Sequence, residues 1–211
     1  MVNKDLKRRI IEIAYKNKLS HLGSYLSCID TIDSIFKEKK PEDIFILSNG
    51  HAALAQYVVL EKYFGIDAEM LLKKHGGHPH HDEVNHIYCS TGSLGMGLSV
   101  AIGRALANKN RKVHVMISDG ECSEGIIWES LKFIDTHDVP NIHIYVMFNG
   151  YSAYDSLDFS KLNAQLMGFN SKNQISIIQC TSEHFPFLHD LNAHYHIMSE
   201  SDYKLAIEMT Q

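Results

Sequence analysis

The chain lacks the features that mark several large classes of protein. None of its apolar runs approaches the roughly 18–20 residues that a membrane-spanning helix needs. Its amino terminus, Met-Val-Asn-Lys-Asp-Leu-Lys-Arg-Arg, carries no apolar stretch of the secretory kind. Acidic residues outnumber basic ones by 25 to 20, for a net charge of -5, so the basic stripe of a general nucleic-acid surface is missing. Cysteine is sparse: Cys28, Cys89, Cys122 and Cys180 lie far apart, with no Cys-x-x-Cys pair. That spacing argues against a zinc ribbon or a disulfide frame and fits reduced thiols in a cytoplasm. Internal repeats and low-complexity linkers are absent as well.

What is present is a globular composition, 45% hydrophobic and 21% charged over 211 residues, enough for one large domain with a sizeable core. Histidine is abundant, with 14 copies. The tract His75-Gly-Gly-His-Pro-His-His81 has a metal-binding composition, but its glycines and proline make it a loop, without the His-x-x-x-His spacing of a helical site. No zinc site is expected there.

Hydrophobic period gives the organisation. Lys4 to Lys18 has helical spacing with Leu6, Ile10, Ile13 and Ala14 on one face, and ends in a turn at Ser20-His-Leu-Gly23. A second helix is expected over Cys28 to Phe36, a short strand over Ile44 to Leu47, and a helix from Ser48-Asn-Gly-His51 to about Phe64. Asp67 is the expected cap of a helix over Ala68 to Lys74. A long loop, His75 to Thr91, leads into Gly92-Ser-Leu-Gly-Met-Gly97, which opens a helix to Ala107. Loops of that length in compact domains are commonly functional. Later come a helix over Asp158 to Leu166, a strand over Gln174 to Cys180, and a closing helix over Ser201 to Met209 with Ser201 as its cap.

Two dipeptides carry the most information. Asp119-Gly120 closes the apolar run Lys112 to Ser118, and Asn149-Gly150 closes the run Asn141 to Phe148. Ser123 to His137 between them has the length of one helix. Strand, helix, strand makes a parallel pair with a crossover, and both carboxyl ends open on the edge where α/β sheets bind ligands. The fold class expected is α/β, a mostly parallel sheet flanked by helices. A carboxylate and an amide oxygen at adjacent strand ends suit Mg²⁺ or Ca²⁺. Both dipeptides are also ordinary turns. Gly92 to Gly97 is placed to offer amides to an anion at a helix start, and glycines that let helices pack closely explain it equally. His21, His51 and His78 stand in loops or at helix starts, where structural histidines are common.

Taken together, these blocks resemble the amino-terminal, diphosphate-binding part of transketolase, and especially the separate amino-terminal subunit of split transketolases. The resemblance runs through Ser20-His-Leu-Gly23, Leu47-Ser-Asn-Gly-His-Ala-Ala53, Gly77-His-Pro79, Ser90-Thr-Gly-Ser-Leu-Gly95, Asp119-Gly-Glu-Cys-Ser-Glu-Gly125 and Asn149-Gly150, in family order, over roughly residues 5–155. It implies a single thiamine diphosphate-binding domain over 1–211, with the pyrimidine-binding domain absent from this chain. It also implies Asp119, Asn149 and the Tyr151 carbonyl as ligands of Mg²⁺ (or Ca²⁺). Gly92, Ser93, Leu94, Gly95, Gly120, Glu121 and Asn149 would adjoin the cofactor. His21, His51 and His78 would line the channel above its thiazolium carbon, and Glu124 would link cofactor sites across a dimer. His196, or else His194, would match a histidine that reaches the diphosphate; both read equally well as solvated loop residues.

The activity so implied is transfer of a two-carbon ketol unit from a ketose to an aldehyde. The split arrangement implies a carboxy-terminal partner in an α2β2 assembly, which would bring the pyrimidine-binding domain and the activating glutamate. The chain departs from the pattern at Ser118, where the family has glycine, and in a shortened stretch over 159–176. A 1-deoxyxylulose-5-phosphate synthase-like condensation, a 2-keto acid decarboxylation and a non-catalytic binding module stay open. A dinucleotide binder does not fit, because Gly92 to Gly97 lacks Gly-x-Gly-x-x-Gly spacing.

Overall fold

Four apolar runs, Ile44–Leu47 (β1), Val113–Ser118 (β2), Ile142–Phe148 (β3) and Ile175–Gln179 (β4), pair in parallel in the order β1-β2-β3-β4. They do so in a computed structural model that describes residues 3–152, 155–170, 172, 174–189 and 192–210. The register sets Ile44 beside Val113, Ser118 beside Met147 and Ile144 beside Ile175. Because side chains alternate along a strand, Ile44, Ile46, Val115, Ile117, Ile144 and Val146 share one face and form its core. The other face carries polar residues: the Tyr145 hydroxyl lies 3.0 Å from His114 Nδ1, and His143 Nε2 lies 2.9 Å from Ser176 Oγ.

The chain packs as two compact units. The sheet unit comprises Lys39–Gly50 and Pro79–Cys180. It holds the four strands with Met96–Ala107 (α5), Gly125–His137 (α6) and Phe159–Met167 (α7). Helix α5 lies on the sheet, α6 packs against α5, and α7 packs on β4. Each crossover returns to a parallel neighbour, as the apolar runs and intervening helix led one to expect.

The helical unit comprises the residues up to Glu38, His51–His78, and those from Thr181 onward. Its helices are Lys4–Lys16 (α1), Leu22–Glu38 (α2), Ala53–Phe64 (α3), Ala68–His75 (α4), Asn192–Tyr195 (α8) and Glu200–Met209 (α9). Helix α2 packs along α3, and α1 lies against α2, α3 and α9. Ile10, Ile13, Leu22, Leu26, Ile29, Leu54, Val58 and Leu71 are buried in it. Asp67 caps α4, accepting from Glu69 N at 2.8 Å.

Two expectations are corrected. Helix α2 starts at Leu22, not Cys28, so Leu22 and Gly23 belong to its first turn. Gly23 is there for close packing: a Cβ on it would lie 2.6 Å from Ser182 O. The cap of α9 is Ser199, not Ser201. Its hydroxyl accepts from Asp202 N while the Asp202 carboxylate accepts from Ser199 N, a reciprocal capping box. Among the described residues, no helix is long and apolar enough to cross a membrane.

Candidate functional site

In the sheet unit the site grows from the carboxyl ends of β2 and β3. Asp119 follows β2 directly, and its N–H donates to Met147 O of β3 at 2.9 Å. The side chain is almost wholly buried, yet every partner it has is backbone. Oδ2 accepts from Asn149 N at 2.9 Å and Gly150 N at 2.7 Å, and Oδ1 accepts from Gly120 N at 2.9 Å. Gly150 holds a φ of 88°, a left-handed conformation that glycine adopts without strain. Burial pushes the Asp119 carboxyl up to about 6, against the pull of these amides.

The donor set fits a hard cation. A carboxylate has about four acceptor positions, and three are used here. The Asn149 side-chain oxygen accepts one bond, from Tyr151 N at 2.9 Å, and keeps a second lone pair. The Tyr151 carbonyl lies 3.5 Å from where a Cβ on Gly120 would stand, so glycine leaves this side of the turn open. Among the described residues, no three His, Cys, Asp or Glu side chains gather as a metal cluster. The expected ligands are of another kind: one carboxylate, one amide oxygen and one main-chain carbonyl.

The glycine-rich loop stands next to this turn. Gly92 and Ser93 are exposed, Leu94 is half-buried, and Gly95 is buried with a φ of 79°. The Gly95 N–H is already taken, donating to Glu121 Oε1 at 2.7 Å. The amides free to meet an anion therefore belong to the start of the loop. Glu121 has no exposed surface. Its Oε1 also accepts from Ser48 Oγ at 2.6 Å, and its Oε2 from Ser118 N at 2.9 Å. Burial raises its pKa while these donors oppose the rise. Glu124 is half-buried at the N-cap of α6. The Ser118 hydroxyl accepts from Glu121 N at 3.3 Å.

In the helical unit the histidines converge. The rings of His21 and His51 are 5.6 Å apart, and His194 stands 4.3 Å from His21, edge-on, and 5.4 Å from His51. The His21 backbone has a φ of 65°, rare for a residue with a side chain. Its N–H donates to His194 O at 3.0 Å, and its Nδ1 lies 2.7 Å from Ser20 Oγ. Burial lowers His21 to about 4, with His194 and then His78 adding to the effect. Burial, followed by His194, His21 and His78, lowers His51 to about 3. Both imidazoles are thus neutral near pH 7, each with one donor and one acceptor nitrogen. His78 is exposed. His196 is engaged elsewhere, with Nε2 3.0 Å from Asp202 Oδ2 and its ring 5.3 Å from that of Phe187. Of the two histidines weighed from sequence, His194 is the one that joins the group.

The model of the family described as "Transketolase, thiamine diphosphate binding domain" matches residues 12–185. The chain belongs to the transketolase family. One of the subunits of an apulose-4-phosphate transketolase, from Phocaeicola vulgatus, is 36% identical over 157 residues, 64% of this chain and 55% of that protein. A protein of the same name from Actinobacillus succinogenes is 31% identical over 162 residues, 67% of this chain and 59% of its own length. The chain thus spans little more than half the length of these transketolase relatives. A 1-deoxy-D-xylulose-5-phosphate synthase of Fusobacterium nucleatum is 29% identical over 158 residues, 74% of this chain and 26% of that protein. Among solved structures, transketolase from Leishmania mexicana superposes with a TM-score of 0.77 at 17% identity, covering 98% of this chain and 40% of that one. At that identity the likeness is one of fold.

Proposed function

We propose that this chain is the amino-terminal subunit of a transketolase-type enzyme, binding the metal–diphosphate end of thiamine diphosphate. The buried Asp119 carboxylate at the carboxyl edge of the parallel sheet carries the reading. It keeps one acceptor position open beside the Asn149 amide oxygen and the Tyr151 carbonyl. These three protein oxygens would hold Mg²⁺ (or Ca²⁺), with diphosphate oxygens and water completing an octahedron. Amides of Gly92, Ser93 and Leu94 would meet the anion, and Gly120 would let the backbone approach it. When bound, thiamine diphosphate supplies the nucleophilic carbon at which a ketose is cleaved.

The residues of this chain would do the rest by binding and proton transfer. Neutral His21 and His51, with His78 and His194, would hydrogen-bond sugar hydroxyls and move protons between them near neutral pH. Ser20 Oγ, 2.7 Å from Nδ1 of His21, would occupy that nitrogen and leave Nε2 for a ligand. Glu124 would link cofactor sites across a dimer. The two apulose-4-phosphate transketolase relatives, each named as one of that enzyme's subunits, support a phosphorylated ketose donor and a second polypeptide. That partner would supply the pyrimidine-binding domain and its activating glutamate, in an α2β2 assembly. Four cysteines outside any disulfide fit a cytoplasmic setting. The synthase relative supports a second reading, condensation starting from a 2-keto acid.

The test mixes the chain with a partner bearing the pyrimidine-binding domain and compares a ketose phosphate with pyruvate. Aldehyde released from the ketose, only in the mixture, is the expected result. Carbon dioxide from pyruvate without ketose turnover would favour the condensation reading. Full activity of the isolated chain would overturn the need for a partner.

A further inference from the structure

Three segments of the sheet unit meet at one buried carboxylate. Glu121 Oε1 accepts from the Ser48 hydroxyl, just past β1, and from Gly95 N in the glycine loop, at 2.6 and 2.7 Å. Glu121 Oε2 accepts from Ser118 N at the end of β2, at 2.9 Å, with the Ser118 hydroxyl 3.5 Å away. The same hydroxyl accepts from Glu121 N, which orients its proton toward Oε2. With every donor supplied by protein and no surface exposed, this side chain has no face left for a ligand.

The segments it joins are also pressed together without room for side chains. A Cβ on Gly97 would lie 2.6 Å from Ser48 Cβ and 2.7 Å from Ser48 Cα. One on Gly50 would lie 2.7 Å from Thr91 Oγ1 and 3.1 Å from Gly92 N. Sterics thus bring the glycine loop against the end of β1. On the side of the Asp119-Gly120 turn the loop packs on α6, where a Cβ on Gly95 would lie 2.5 Å from Ile126 Cγ2, and the hydrogen bonds that join it to the end of β2 run through Glu121.

We infer that Glu121 is a positioning residue: its carboxylate ties the Gly92–Gly95 loop and the end of β1 to the turn that carries Asp119, and it touches no ligand itself. The inference rests on the proposed function, because the two elements it aligns are the ones assigned to diphosphate and metal. Ser118 then has a use. Where the family pattern has glycine, its hydroxyl braces the Oε2 side of the carboxylate.

Hydrogen exchange of the full chain, resolved at single amides, tests this without cofactor. In Glu121→Ala, exchange at both Gly95 N and Ser118 N is expected to rise by about tenfold or more, as for loss of a charged acceptor. Glu121→Gln has one carbonyl oxygen and one amide nitrogen, so only one of the two amides keeps its protection, and this variant serves if the alanine form does not fold. Magnesium–thiamine diphosphate affinity should fall by roughly tenfold in Glu121→Gln, although the side chain meets no ligand. Unchanged exchange at both amides in either variant would overturn the inference, as would equal loss at both in Glu121→Gln. Failure of the parent chain and its partner to bind the cofactor would sink the functional reading instead, leaving the exchange pattern to decide the role of Glu121.

Discussion

The sheet edge and the histidine group solve opposite problems. At the edge, a buried carboxylate is held by three backbone amides, and the neighbouring loop is packed at Gly50, Gly95 and Gly97 without room for a Cβ. The histidine group is made of side chains, with rings 4.3 to 5.6 Å apart and kept uncharged by burial. One region concentrates negative charge against backbone dipoles, which suits a cation and its anionic ligand. The other removes charge and keeps donors and acceptors, which suits hydroxyls and mobile protons. The first is built mainly from backbone groups, the second from side chains.

The sharpest way to break this contrast is Asp119→Ala. It removes the one charged ligand, and loss of about 3 kcal/mol, or roughly 100-fold, in magnesium-dependent cofactor affinity is expected. Circular dichroism should show the fold retained. A milder, steric probe is Gly97→Ala, expected to cost about 2 kcal/mol by denaturant unfolding because its new methyl meets the Ser48 backbone. Gly77→Ala, with nothing within 4 Å, should change stability by less than about 0.5 kcal/mol.

Acid should weaken the fold through the histidine group. His21 and His51 have folded-state values of about 4 and about 3, below the ordinary 6.5. Each is therefore neutral in the native chain where the unfolded chain would already be protonated. Their contribution to stability is complete above pH 6.5 and is lost as pH falls toward 4 and then 3. Unfolding midpoints measured across that window should decline less steeply in His51→Asn than in the parent. An equal slope would remove the argument for a desolvated imidazole. The smallest effect separates the two late histidines. His194→Ala should raise the His21 pKa seen by NMR titration, because the neighbouring imidazole depresses it. His196→Ala, whose ring is engaged by Asp202 and Phe187, should leave it unmoved.

Much of the sheet edge could be read in advance because its causes are local. Apolar runs with β-branched residues end at Asp119-Gly120 and Asn149-Gly150, and all four strands lie within one residue of the expected spans. The start of α2 was not legible, since Gly23 answers to Ser182, far along the chain. The cap of α9 had a readable signal in the Ser199-x-x-Asp202 spacing, which outranks Ser201. Glu121 was expected beside the cofactor. One of its protein partners, Ser118, is local, whereas Ser48 and Gly95 are distant in sequence, and no local pattern announces such bonds. The place of His194 beside His21 is of the same kind, set by which ring the fold turns toward His21.

Calorimetry addresses the metal-dependent diphosphate site at the sheet edge most directly. Thiamine diphosphate would be titrated into the chain, alone and mixed with a pyrimidine-domain partner, with Mg²⁺ and after its removal by chelator. Binding that requires Mg²⁺ and weakens by roughly 100-fold in Asp119→Ala is the predicted result. Binding of equal strength without the metal or in that variant, or no binding under any of these conditions, would contradict it.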